Sequence, residues 1–317
     1  MAQINWDTVP VLNEAQIEDL RAPKHSVNPQ RPYAFLAEQE RASTGAIVDV
    51  ATIFLTNREC PFRCLFCDLW KNTTDERVPI GAIPKQLQLA LEQLPLCQSV
   101  KLYNSGNFFD RQAIPPEDHD EIAQLVNTFK TVVVENHPSL CNEACLRFRD
   151  RLSGNLEIAI GLETAHPEVL ARVNKRMSRD TFQQAVDFLV REQISVRSFI
   201  LLRPPYLDEK LGREWAIRSL EFAFDCGVEC CTIIPTRSGN GALEQLAKTG
   251  HFRPPQLASL EAVFTAGLQM NRGRVFVDLW DLERVTRCPT CTTAQQQRLH
   301  HMNLSQRVLP PIHCEDC

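Results

Sequence analysis

A chain of 317 residues exceeds the usual single-domain size, although one α/β barrel can absorb that length. With 23% charged and 44% hydrophobic residues and a net charge of −5, the composition is that of an ordinary soluble chain. It gives no broad attraction to nucleic acid, so an RNA partner needs a local basic patch. No run approaches the roughly 20 apolar residues of a membrane helix. MAQINWDTVP lacks the basic start and apolar stretch of an export signal, so the cytoplasm is the expected location and no membrane partner is expected.

Residues 1–48 read as an N-terminal extension of mixed polar and proline-containing sequence, with a helix expected over Tyr33 to Arg41. From 49 to 276, short aliphatic or β-branched runs alternate with helical periodicity, the mark of repeated βα units. Strands are expected at Ala51 to Leu55, Ser99 to Tyr103, Thr131 to Val134, Glu157 to Ile160, Val196 to Leu202 and Cys230 to Ile234. Between them, stripes at Ile83, Leu87, Leu91 and Leu94, then Ile122, Leu125, Val126 and Phe129, then Phe182, Val186, Leu189 and Val190, each mark one helix face. Ile217, Leu220 and Phe224 repeat the pattern, and Pro254-Pro255 introduces a last helix over Leu257, Leu260, Phe264 and Leu268. Right-handed crossovers then require a parallel sheet. Six units are too few for a closed eight-stranded barrel. The expected fold class is therefore α/β, a partial, open (βα)6 barrel with its chemistry at the C-terminal strand ends and an open side for a large substrate. Residues 277–317 turn to Cys, His, Gln and Arg and read as a small segment that needs metal to fold.

Thirteen cysteines, an odd number in a long chain without a secretion signal, read as thiols rather than a disulfide framework. Cys60-Pro-Phe-Arg-Cys64-Leu-Phe-Cys67 follows the first expected strand, on the catalytic face. Three thiolates can ligate three irons of a four-iron four-sulfur cluster and leave the fourth open, whereas closed electron-transfer clusters use four cysteines. S-adenosylmethionine (SAM) can fill the open position. A zinc site would want a fourth ligand, and no nearby histidine has the spacing. Cys141 and Cys145 continue into a stripe with Phe148 and Leu152 and read as core, as do the isolated Cys97, Cys226, Cys230 and Cys231.

The C-x3-C-x2-C spacing with aromatic Phe66 before the third cysteine resembles the radical SAM superfamily over roughly residues 50–235. The resemblance implies a cluster on Cys60, Cys64 and Cys67, SAM as cofactor and an electron donor as partner. It places Phe66 beside the cofactor and puts Asn104, Ser105, Gly106 and Asn107 where relatives carry a Gly-Gly-Glu-Pro motif for the SAM amino group. Glu163, in Gly161-Leu-Glu163-Thr164, takes the ribose and methionyl end. Arg176, with Lys175 next to it, takes the SAM carboxylate. Glu135, ending the third expected strand, reads as a pocket residue, and His137 as a packed histidine.

Lys101 to Asp110, Gly161 to Thr164, Arg203-Pro204-Pro205, Pro235 to Gly241 and His251 to Pro255, together with the cysteine-rich tail, look closer to one branch, the radical SAM subunit of archaeosine synthase. That resemblance implies cleavage of a carbon–nitrogen bond in a lysine–deazaguanine adduct of tRNA. Arg284, Arg287, Arg298, His300, His301 and Arg307 are the candidate phosphate contacts, set against an acidic net charge. A small-molecule substrate, or a non-catalytic iron–sulfur or zinc RNA-binding protein, remains the alternative. Finally, Cys288-Pro-Thr-Cys291 and Cys314-Glu-Asp-Cys317 enclose 22 residues, 292 to 313, and read as a second metal site. Zinc and an auxiliary iron–sulfur cluster both accept four thiolates, and the lack of a free position favours zinc.

Overall fold

The computed structural model describes residues 4–285, 288 and 290–316. Helix α1 (Glu14–Asp19) precedes a hairpin of β1 (Ala34–Arg41) and β2 (Ile47–Phe54). Strands β3 (Ser99–Tyr103), β4 (Thr131–Glu135), β5 (Asn155–Glu163), β6 (Ser195–Leu202), β7 (Cys230–Pro235) and β8 (Arg274–Val277) follow. The helices between them are α2 (Ala82–Leu91), α3 (His119–Leu125), α4 (Glu143–Arg149), α5 (Pro167–Arg172), α6 (Arg179–Arg191), α7 (Glu209–Asp225), α8 (Ala242–Lys248) and α9 (Leu257–Gln269). Helix α10 (Thr292–Ser305) comes last. All eight strands form one sheet in chain order, parallel except where β1 runs against β2.

Strand alternation sorts the two faces. Ala51, Ile53, Val100, Leu102, Val132, Val134, Ile158 and Ile160 point outward and are buried under the helices with Ile83, Leu87, Phe182 and Leu220. Val190, from the stripe of α6, is instead exposed. Inward-facing side chains at the N-terminal strand ends are charged. Lys101 Nζ lies 2.6 Å from Glu40 and 2.9 Å from Glu38, while Arg197 pairs with Glu40 at 2.5 Å and Glu157 at 2.6 Å. Arg274 pairs with Glu157 at 3.0 Å. Because each buried charge has opposite partners, the network can fill this end of the half-barrel and leaves a cavity of only about 50 Å³. Burial opposes ionisation of Glu40, but Arg197 and Lys101 overcome it and hold the carboxyl well below the usual range.

The segment Tyr33 to Arg41, expected as a helix, is strand β1, paired with β2 from Ala34↔Phe54 to Arg41↔Ile47. Its Ala, Leu, Glu and Gln favour helix locally. Backbone pairing and the cations that meet Glu38 and Glu40 outweigh that preference. The sheet thus begins within the first 48 residues, and residue 48 lies inside β2. The six expected strands are all present, extended by β1 and by the four-residue β8.

Candidate active site

The cysteine loop leaves β2 and is closed at its base by the Arg58↔Thr74 bridge, with Glu59 N–H donating to Thr74 O at 3.0 Å and Thr74 N–H to Asn57 O at 2.9 Å. Side chains from distant segments hold its carbonyls. Arg63 Nη1 donates to Cys60 O at 2.7 Å, Asn174 Nδ2 to Arg63 O at 2.8 Å, and Asn240 Nδ2 to Leu65 O at 2.7 Å. Trp70 Nε1 donates to Cys67 O at 3.2 Å, and Leu65 N–H to Val173 O at 2.9 Å. Phe62 stacks on His137 with ring centroids 4.0 Å apart. A loop with its polar backbone already satisfied presents its thiols in a fixed arrangement. Burial pushes up the Cys64 and Cys67 thiols; Cys67 and Cys60 raise Cys64 further, and Cys60 raises Cys67. Phe66 is half-buried against the apolar core.

The loop after β3 forms the adjacent wall. Asn107 Nδ2 donates to Cys60 Sγ at 3.2 Å, and Tyr33 OH meets Ser105 Oγ at 3.1 Å. Gly106 is pressed close, since a Cβ there would lie 3.3 Å from Cys60 Cβ. Glu135, at the end of β4, accepts the Asn104 N–H at 3.0 Å and the backbone N–H groups of Gly106 and Ser105. Burial nonetheless pushes its carboxyl up to about 7 against those three donors. Its role is thus to hold the loop, which its position alone did not reveal. Asn104 is fully buried, yet neither its Oδ1 nor its Nδ2 has a partner. An orphaned buried amide, on a loop that packs against Cys60, is what a site completed by a ligand looks like.

On the opposite wall, Glu163 and Lys175 form a buried ion pair laid over Gly161, where any Cβ would collide with both side-chain tips. Burial works against the Lys175 charge, but Glu163 and the nearby Cys64 more than offset it and raise its pKa. Arg176, expected beside the SAM carboxylate, is exposed, and Lys175 is the buried one of the two cations. Asn174 and Arg176 both have positive φ, at 55° and 56°, so the chain turns Lys175 inward and leaves Arg176 exposed, paired with Glu14. Lys175 O also meets His137 Nε2 at 2.9 Å, so His137 is a packed side chain that ties this turn to Phe62.

Aromatic side chains line the half-barrel below the thiols. Phe54 lies 5.5 Å from Tyr33, 6.0 Å from Tyr103 and 6.0 Å from Trp280, between ring centroids, and Tyr103 lies 6.4 Å from Phe199. Trp280 is 57% exposed at the rim, near Arg237, which pairs with Asp278. Among the tail cations, Arg284, His300, His301 and Arg307 are exposed, but Arg298 is buried, bonded to Glu261 and to the carbonyls of Leu309 and Pro310. It is not available to phosphate. Arg287 lies outside the described residues. Of the scattered thiols, Cys145, Cys226, Cys230 and Cys231 are buried, and Cys97 and Cys141 half-buried.

Among the described residues, Cys288, Cys291 and Cys314 are the one group of three or more His, Cys, Asp or Glu side chains whose ligand atoms all lie within 4.8 Å of one another. The Cys60, Cys64 and Cys67 thiols are more widely spread. Cys317 lies outside the described residues. No described helix is long and apolar enough to cross a membrane.

No family model matches the chain. In fold it is similar to the archaeal Methanocaldococcus infernus Elp3 with an N-terminal deletion, at TM-score 0.52 and 14% identity, over 69% of this chain and 59% of that one. In sequence the likeness runs to archaeosine synthase subunit beta. The protein of Methanosarcina acetivorans is 27% identical over 212 residues, 62% of this chain and 59% of that protein. The Thermococcus kodakarensis protein is 26% identical over 208 residues, 62% and 64% respectively. An uncharacterized protein of Methanocaldococcus jannaschii is 25% identical over 225 residues, 66% and 62%. The chain thus spans between 59% and 64% of the length of the curated relatives it matches.

Proposed function

We propose that this chain is a radical SAM enzyme acting on a modified base of tRNA, in the manner of archaeosine formation. The observation that carries the reading is the loop bearing Cys60, Cys64 and Cys67, placed at the C-terminal strand ends with its backbone pre-bonded and its thiols too far apart for one metal ion. That donor set fits a four-iron cluster with one iron left for SAM. Cys60, Cys64 and Cys67 would hold that cluster and SAM beside it, and the chemistry supplied there would be one-electron reductive cleavage of the SAM C5′–S bond, with an external donor giving the electron and methionine leaving, to abstract hydrogen from substrate.

The chain's own residues position these groups. The Glu163 carboxylate and Lys175 ammonium offer an acceptor and a donor on the wall facing the thiols, suited to the ribose and the methionyl carboxylate. The Asn104 amide, on the loop that packs against Cys60, is unpartnered, and its oxygen can receive the amino group. Glu135 fixes the loop that carries Asn104. Half-buried Tyr33, Phe54, Tyr103 and Phe199 with exposed Trp280 form a cluster of mutually tilted rings that offers apolar faces and edges to a heterocyclic base. The likeness to archaeosine synthase subunit beta supports a lysine–deazaguanine adduct as that base.

A tRNA carrying the lysine adduct, deuterated at the lysine carbon next to the broken bond, tests the substrate. Deuterium should pass into 5′-deoxyadenosine. Transfer from a free small molecule, with none from this RNA, would replace the reading with that of a small-molecule enzyme.

A further inference from the structure

We propose that Cys288, Cys291 and Cys314 hold a single zinc ion that fastens α10 across the open side of the half-barrel. Sequence spacing alone leaves zinc and an auxiliary iron–sulfur cluster equal, but distance separates them. A tetrahedral zinc with Zn–S bonds of about 2.3 Å sets its sulfurs about 3.8 Å apart. Cys288 Sγ and Cys314 Sγ are 3.6 Å apart, and all three sulfurs lie within 4.8 Å of one another. A four-iron cube is larger than one ion and spreads its thiolates, as in the loop of Cys60, Cys64 and Cys67. The sequence supplies a fourth thiol in Cys317, which completes the second Cys-x-x-Cys pair.

One further bond joins the two knuckles and another braces the first. Thr290 Oγ1 donates to Asp316 Oδ2 at 2.7 Å, and Thr292 Oγ1 to Cys288 O at 2.5 Å. Cys291 is the residue from which α10 starts. Arg298, midway along α10, then binds the returning chain at Leu309 O, 2.8 Å, and Pro310 O, 2.6 Å.

What the ion fastens is shown at the other end of α10. Strand β8 is the last in the sheet, so its outer edge has unpaired backbone groups. Two side-chain amides of α10 stand in for a ninth strand. Gln306 accepts the Val275 N–H at 2.8 Å and donates to Val275 O at 2.7 Å, and Asn303 makes the same pair of bonds with Val277, both at 2.9 Å. Helix α10 also packs against β1, at the opposite end of the sheet order. Between β8 and Cys288 the chain crosses the rim with Trp280 against Phe54, so an ion at Cys288 also anchors this crossing.

The site is independent of the cofactor proposed for the first cysteine loop, and the test keeps the two apart. In the full chain with Cys60→Ala, Cys64→Ala and Cys67→Ala, metal analysis should find about one zinc per chain and no sulfide. Iron in its place, with or without sulfide, or no metal, overturns the assignment. In the otherwise native chain, Cys288→Ser with Cys314→Ser should lose the zinc but keep the iron of the first loop. It should also speed hydrogen exchange at the Val275 and Val277 amides. Zinc retained in that variant, or zinc lost with exchange at both amides unchanged, overturns the site or its fastening role respectively.

Discussion

Asn174 and Arg176 adopt left-handed backbone on either side of Lys175, and that local choice decides which of two adjacent cations enters the barrel. The resemblance put both Lys175 and Arg176 beside the cofactor and favoured Arg176; which of the two is buried was not legible, because two positive φ values reverse the facing of neighbours. Lys175→Met should therefore weaken SAM binding to the reconstituted protein about ten- to a hundred-fold, since a charged hydrogen bond is lost and Glu163 is left unpaired. Arg176→Ala, removing an exposed ion pair with Glu14, should leave binding within about a factor of two. SAM titrations, with melting curves to check folding, measure both; an equal loss from the two variants would contradict the assignment. The three thiols were plain in the sequence because a contiguous motif needs no tertiary information. Asn240, and what Glu135 does in the pocket where it was expected, were hidden for the opposite reason: each acts on a loop distant in sequence, on Leu65 O and on the Asn104 N–H.

Helices and strands show the same division. Segments whose apolar period met one continuous core, such as Phe182, Val186 and Leu189 in α6, were legible, whereas β1 was not, because its inward Glu38 and Glu40 are explained only by Lys101 and Arg197 on other strands. The packing of α3 on α4 carries a pH consequence. His119 is buried among Phe108, Phe109 and Phe148, its Nε2 has no partner, and burial pushes its pKa down from 6.5 to about 4, with Arg151 and Arg147 acting in the same sense and Asp120 and Glu117 against. The folded state thus disfavours the proton that the unfolded chain accepts. The stabilisation is complete above the unfolded value and is lost as pH falls from about 6.5 through about 4. At about 1.4 kcal/mol per pKa unit, the loss over about 2.5 units reaches at most about 3.5 kcal/mol. Urea unfolding across that window should show native protein losing stability relative to His119→Leu; a constant difference would mean the imidazole is not held neutral.

For the whole molecule, six βα units suggested an open barrel, and eight strands in one curled sheet are found, with charge filling one end and the cysteine loop at the other. The added strands escaped the sequence because β1 is helix-like in composition and β8 is only four residues long. Their placement matters to function, since Tyr33, just before β1, and Trp280, just after β8, complete the aromatic surface below the thiols. The central claim is that this surface serves radical chemistry begun at Cys60, Cys64 and Cys67. Its most direct test is anaerobic reconstitution with iron and sulfide, followed by SAM and a strong reductant, with iron and 5′-deoxyadenosine measured for native protein and Cys64→Ala. The native loop should take up about four irons and release 5′-deoxyadenosine, and the variant should lose both. A native protein that holds its iron yet leaves SAM intact, or a Cys64→Ala variant that retains cluster and cleavage alike, would contradict it.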